Sequence, residues 1–337
     1  MTAGETEGAA VTGDPDPSRR PLLIAGMPRS GTTWTLRILE SASSIYSLME
    51  PDSEGHRASA IWAKHRAGRF PVLAPGDRDD AYRQLWAWIL HGAPESLRLK
   101  VAAKVLKGVR PPERKRFLQG RFSPIMSAAG ALASHPGDRR NPVLDRSRLL
   151  VKTVHAPLSI EWVASEFEVA VVVMLRHPGS ILASWISLNL NDQYVPFHDI
   201  PSVRQLVESW GVRPPGPDHL ERMIWQIGVL VTALEKSAAR HPEWAVRTHE
   251  QMCVEPEAEF RRLYEELGLE WNETSSASLV RNDRPGKRFD AQRIAADLPD
   301  DWKRRLTAHE ASEMKRVLSW FPLTRWSPED LDLSAQG

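Results

Sequence analysis

The chain has 337 residues, 42% of them hydrophobic and 26% charged, with a net charge of +1. That length suits one large α/β domain with insertions, and so small a net charge gives no overall attraction to nucleic acid. A single cysteine, Cys253, excludes an intrachain disulfide and a thiolate metal cluster and fits a reducing, cytoplasmic compartment.

Residues 1–19 are polar, acidic and rich in Gly and Pro, and read as a disordered tail, with neither a signal peptide nor a membrane span. No apolar run elsewhere approaches the ~20 residues of a spanning helix. Residues 20–330 are expected to form one domain. "PLLIAG" (Pro21–Gly26) reads as a buried strand, and "TTWTLRILESAS" as the helix after it, with Trp34, Ile38 and Leu39 at helical spacing. "IYSLM" (Ile45–Met49) is the next strand.

Residues 53 to about 135 read as a helical insert with no clear strand. Within it, residues 98–121 carry nine Lys and Arg against one acid, Glu113. That segment suits an anionic acceptor or an anionic membrane surface, and equally a solvated amphipathic helix over the core. Trp86 and Trp88 read as core.

The sheet resumes with "RLLVKT" (Arg148–Thr153), followed by a helix over "APLSIEWVASEF". "VAVVVMLR" (Val169–Arg176) is apolar enough for a central parallel strand. "PGSILASWISL" is a helix with Pro178 in its first turn. Asp218, with Glu221 three residues on, caps a helix whose apolar face runs from Leu220 to Leu234. "WAVRT" (Trp244–Thr248) is a strand, and Phe260, Leu263, Tyr264 and Leu267 lie on one helical face. "VRNDRPGKRF" is a basic loop, and Met314, Val317, Leu318 and Phe321 mark a last helix. Strands alternating with helices predict a doubly wound parallel sheet with flanking helices and right-handed crossovers, its ligands beyond the strands' C-terminal ends.

"AGMPRSGTTW" (Ala25–Trp34) lies at such an end. Gly26 and Gly31 have the G-x-x-x-x-G spacing of a phosphate loop, and Thr32 stands where a nucleotidase has lysine. The cation comes earlier, at Arg29. Backbone N–H groups of residues 29–33 and the helix N-terminus suit an anion. The most apolar strand ends in Arg176, where a Mg²⁺-nucleotide enzyme would carry Asp or Glu. The site therefore reads as one for a nucleotide held by cations and backbone. No histidine pair has metal-ligand spacing, so no metal is expected.

At these residues the sequence resembles the sulfotransferases that use 3′-phosphoadenosine 5′-phosphosulfate (PAPS). "PRSGTTW" is similar to their 5′-phosphosulfate loop. "RHPGSILASW" is similar to their 3′-phosphate motif, an Arg at a strand end and a Ser eight residues on. The resemblance implies a P-loop-like fold and a transfer from PAPS, with 3′-phosphoadenosine 5′-phosphate (PAP) as product. It implies that Arg29, Ser30, Gly31, Thr32 and Thr33 bind the 5′-phosphosulfate, Trp34 stacks on adenine, and Arg176 with Ser184 holds the 3′-phosphate. It further implies His249 near adenine and Arg284, Lys287 and Arg288 in a basic 3′-phosphate loop.

Arg29 and Lys152 are candidates for stabilising charge on the leaving oxygen. Glu50 matches the carboxylate base of Golgi-type and several bacterial members. His155, three residues after Lys152, is the alternative base. The acceptor is a hydroxyl-bearing molecule, with glycan, lipid and secondary metabolite all open. A Mg²⁺-dependent P-loop phosphotransferase and a non-catalytic adenosine-bisphosphate-binding protein are the rival readings.

Overall fold

The structure is a computed structural model that describes residues 19–54, 57–64, 68–91, 142–190, 197–282, 300–327 and 330–331. Residues 1–18 of the expected tail, the basic 98–121 segment and the loop with Arg284, Lys287 and Arg288 lie outside the described residues.

Five strands, β1 (Leu22–Gly26), β2 (Ile45–Met49), β3 (Arg148–Thr153), β4 (Ala170–Leu175) and β5 (Ala245–Thr248), form one sheet in the order β2-β3-β1-β4-β5. Every pairing is parallel. The chain leaves β1 for the edge, returns to β3 beside it, then crosses to β4 on its other side. Such a reversal marks the C-terminal end of β1 as the place where open α/β sheets bind ligands.

The two-residue period of a strand explains why both faces are apolar. Leu23, Ala25, Leu149, Val151, Val171 and Val173 pack on one face with Trp86, Trp162 and Leu234. Leu22, Ile24, Leu150, Val172 and Met174 pack on the other with Trp34, Phe260 and Leu263.

The described helices are α1 (Thr32–Leu39), α2 (Ala58–Ala63), α3 (Asp80–Leu90), α4 (Ile160–Phe167), α5 (Pro178–Ser187) and α6 (Pro201–Ser209). They continue with α7 (His219–Arg240), α8 (His249–Val254), α9 (Pro256–Glu266), α10 (Glu273–Asn282), α11 (Asp301–Arg305) and α12 (Ala308–Leu318). A third apolar cluster joins α5, α6, α7, α11 and α12, with Trp225, Trp302 and Phe321 among its rings. Asp218 caps α7 by accepting the Glu221 N–H at 2.8 Å, but Glu221 turns its own carboxylate to Gly216 and Arg316.

Several boundaries differ from the sequence reading. α1 stops at Leu39, four residues before the end of the quoted helical stretch, and the chain after β5 makes two helices because Pro256 opens a new first turn. α12 ends at Leu318, so Phe321 packs from beyond it.

Candidate functional site

Register puts the candidate residues along one edge of the sheet. Met49 lies opposite Lys152, Ala25 opposite Thr153, Gly26 opposite Met174, and Leu175 opposite Thr248. The strands therefore end nearly level. Arg29, Glu50, Lys152, His155, Arg176 and His249 all come from those ends or from the residues just beyond them.

The loop after β1 is held by its glycines. A Cβ on Gly26 would lie 2.4 Å from Ser30 Oγ and 2.7 Å from Met174 O. Gly31 has φ 90, and a Cβ there would lie 2.3 Å from the His249 ring. Gly31 is the N-cap of α1 and no side chain caps the first turn, which leaves amide donors for an anion. Ser30 Oγ is buried without a partner.

The two anion motifs meet. Arg176 Nη1 donates to Arg29 O at 2.8 Å, across 147 residues of sequence. Arg29 Nε donates to Ser184 Oγ at 2.9 Å, and Trp185 Nε1 donates to Pro28 O at 3.1 Å. Arg29 thus links the loop after β1 to the α5 motif through its Nε. Burial pulls Arg176 below its ordinary range, with Glu250 opposing, yet a guanidinium stays charged. Arg176 Nε is buried without a hydrogen-bond partner.

Trp34 is 7% exposed, edge-on to Phe260 at 5.1 Å and tilted against His249 at 5.7 Å. Burial, with Arg176 and Arg29 nearby, holds His249 well below the usual histidine range, so its ring is neutral. Cys253 Sγ lies 3.5 Å from His249 Nδ1.

At the β2–β3 side, Glu50 has φ 48 and its N–H donates to Lys152 O at 2.7 Å. Its Oε1 accepts from Lys152 Nζ, and its Oε2 lies 3.9 Å from His155 Nε2. Burial lowers the Lys152 ammonium, with the Glu50 carboxylate opposing. Arg69 Nε donates to His155 Nδ1 at 3.4 Å. A neutral His155 with Nδ1 accepting carries its proton on Nε2, the nitrogen facing Glu50. His155 is 1% exposed at its side chain and Glu50 is 23% exposed.

Sequence reasoning missed the buried groups behind this pair. Asp52 Oδ2 accepts from Thr153 Oγ1 at 2.6 Å and lies 4.0 Å from Lys64 Nζ, with side-chain exposures of 0% and 1%. Lys64 Nζ also donates to Arg69 O at 3.1 Å. Three carboxylates alternating in "EPDSE" (Glu50–Glu54) were the available signal. His177 caps α5 through Nδ1, at 3.1 Å from the Gly179 N–H, and stacks on Trp302 at 4.6 Å.

Among the described residues, no group of three or more His, Cys, Asp or Glu is gathered to hold a metal ion, and no helix is long and apolar enough to cross a membrane.

With this geometry in hand, residues 21–273 match the model of a sulfotransferase family. Among solved structures, the chain is similar to the sulfotransferase domain from the curacin biosynthetic pathway, at 15% identity over 91% of this chain and 100% of that one, TM-score 0.46. It is similar to the sulfotransferase domain of the Synechococcus PCC 7002 olefin synthase, at 13% identity over 91% and 96%, TM-score 0.43. It is also similar to sulfotransferase STF9 from Mycobacterium avium, at 17% identity over 92% and 78%, TM-score 0.41. No curated protein matches the chain.

Proposed function

We propose that this chain, which belongs to the sulfotransferase family, transfers a sulfuryl group from PAPS to an acceptor hydroxyl, with Glu50 as the base. The observation that carries the reading is the junction of Arg176, Arg29 and Ser184, because it draws the two anion motifs into one crevice.

The residues fit such a nucleotide. Orphaned donors at Ser30 Oγ and Arg176 Nε, uncapped amides at the start of α1, and two glycines kept free of Cβ by close neighbours make a cradle for phosphate oxygens. In this reading residues 29–33 hold the 5′-phosphosulfate, Arg176 and Ser184 the 3′-phosphate, and Trp34 and His249 border the adenine.

When bound, PAPS supplies the sulfuryl group: its sulfur–oxygen bridge breaks, and the oxygen leaves with the electron pair as the 5′-phosphate of PAP. Arg29 and Lys152 offset the charge on that oxygen, a contribution typically worth ~10²–10³ in rate. Glu50 accepts the proton of the acceptor hydroxyl as the new sulfur–oxygen bond forms, and passes it to solvent through its exposed edge. Two observations favour Glu50 over His155: its greater exposure, and the Arg69 contact that occupies the free nitrogen of the imidazole. His155 then steadies the carboxylate.

The strands flanking β1 place Lys152 next to last in β3 and Arg176 just beyond β4, cations where a Mg²⁺-nucleotide enzyme needs a carboxylate. That donor set disfavours the phosphotransferase reading. Transfer of labelled sulfate from PAPS, assayed over phenols, sugars, glycolipids and secondary metabolites with and without EDTA, tests the proposal. Sulfate transfer that EDTA leaves intact is expected. Activity with ATP that EDTA abolishes would sink it.

A further inference from the structure

The candidate nucleotide crevice contains an acidic side chain for which the transfer has no task. Glu250 stands in the first turn of α8, next to His249. Its Oε1 accepts the His177 N–H at 3.1 Å, so the carboxylate lies against the peptide that joins Arg176 to α5. Its Oε2 is buried without a hydrogen-bond partner, as are Arg176 Nε and Ser180 Oγ.

These three orphaned atoms are of two kinds. Arg176 Nε and Ser180 Oγ are donors, and a phosphate monoester, which brings only acceptors when dianionic, satisfies both. An ionised Oε2 is itself an acceptor and repels the same phosphate, whereas a protonated one is a donor. Leaving a buried polar atom unpaired is unfavourable, so an arrangement that pairs all three on binding is favoured.

The charges around Glu250 agree with a movable proton. Burial lifts its carboxyl above the ordinary range, Asp300 pushes the same way, and Arg176 opposes both. Arg176 is held up chiefly by Glu250, with Cys253 of α8 and Arg305 and Asp301 of α11 also facing it. His249, its neighbour in α8, is neutral. A phosphate that takes over Arg176 removes the main support of the Glu250 anion and sets a like charge beside it.

We infer that Glu250 is a proton-coupled counter-ion of Arg176: ionised in the free protein, it takes up one proton from solvent as a 3′-phosphate engages that guanidinium, and its Oε2–H then joins the donors. The inference rests on the PAPS reading. The complex binds more protons than the free protein, so PAP affinity rises as pH falls and product release eases as pH rises.

Isothermal titration of PAP into the wild-type protein at pH 7, in two buffers of different ionisation enthalpy, reads the proton directly. Buffer-dependent heats corresponding to uptake are expected, and E250Q is expected to lose that uptake. Gln keeps an acceptor for the His177 N–H without the charge, so E250Q is also expected to bind PAP at least threefold more tightly at pH 8. Heats independent of buffer in the wild type overturn the inference without any variant, and so does weaker PAP binding by a folded E250Q, the result of a purely structural carboxylate. Failure of the wild type to bind PAP at all sinks the PAPS reading itself, a result distinct from binding without proton uptake.

Discussion

Glu50 and Arg29 are two of the four non-glycine residues with positive φ among the described residues, at φ 48 and φ 77. Such backbone costs on the order of 1–3 kcal/mol at each position and persists where the surroundings fix it. At Glu50 the fixing contacts are the bond to Lys152 O and the ion pair with Lys152 Nζ. Glu50→Gln keeps an acceptor for that ammonium but cannot take a proton. Its kcat is expected to fall by ~10²–10⁴, with PAP affinity by titration within about twofold of wild type. A fall of less than about tenfold would hand the base role to His155. Behind Glu50, Asp52 and Lys64 form a buried pair that burial makes costly to break: the Lys64 ammonium is itself pulled below its usual range. Lys64→Met strands the Asp52 charge and is expected to cost ~3–5 kcal/mol in urea unfolding. Adding Asp52→Asn, which still accepts from Thr153, should restore at least half. If the single variant loses nothing, the pair carries no structural weight. The sequence made Glu50, Lys152 and His155 visible because each lies at or just beyond the end of a strand. Beyond the alternating carboxylates of Glu50–Glu54 it did not single out Asp52, Lys64 or Arg69 as partners, since the burial of Asp52 and Lys64 and the contact of Arg69 with His155 arise only in the fold.

The central strands β1, β3 and β4 were legible as short apolar runs because both faces of the sheet are covered there, which removes the polar alternation, while β2 and β5 are half-buried edges. Helices α6, α10 and α11 were not foreseen: α10 is "ETSSASLVRN" and α11 only "DWKRR", each with few apolar positions to set a period. Helix α5 was read correctly from Pro178, but its cap was overlooked because histidine is not a usual cap residue. His177 Nδ1 accepts the Gly179 N–H, so its proton sits on Nε2, 3.0 Å from Asp330 O. Burial pushes His177 down to about 4, with Lys303 acting in the same direction and the Asp330 carbonyl, Asp330 and Asp300 charges opposing. The sign follows from linkage: an unfolded chain protonates near pH 6.5 while the folded one resists until about 4. Stability present above pH 6.5 is therefore lost as pH falls towards 4, by roughly 3 kcal/mol from this residue. His177→Asn retains a capping oxygen and does not titrate. Urea unfolding between pH 7 and 4.5 should show a smaller loss for the variant than for the wild type, and parallel curves would refute the assignment.

At the scale of the molecule, the crevice depends on a segment remote from it in sequence. Beyond α12 the chain runs back along α7, where the buried Glu235 accepts the Thr324 N–H at 2.8 Å and the Arg325 N–H at 3.2 Å. Its described residues beyond Ser327 lie against the turn after β4, with Asp330 O on His177 Nε2 and Leu331 3% exposed in the helical cluster. On the other face of His177, Trp302 stacks and fills the space over Gly179, where a Cβ would lie 2.6 Å from its ring. The turn that presents Arg176 is therefore gripped from two sides by residues beyond 300. A chain ended after Ser327 loses the Asp330 carbonyl and the Leu331 side chain while keeping the Glu235 clasp. Burial of Leu331 is worth ~1.5–3 kcal/mol, and His177 Nε2–H, left unpaired, adds ~1–3 kcal/mol if water does not reach it. Urea unfolding should register a loss in that combined range. The loosened turn should also weaken PAP binding several-fold in titration. The Glu50–Lys152 pair lies at the β2–β3 side of β1, across the sheet from the β4 end that Asp330 and Leu331 support. Once PAP losses are overcome by saturating PAPS, kcat should stay within about twofold of the full chain. A kcat that collapses at saturation would mean that the two ends of the crevice are mechanically one unit, rather than a nucleotide clasp and a separate base joined by the central strand.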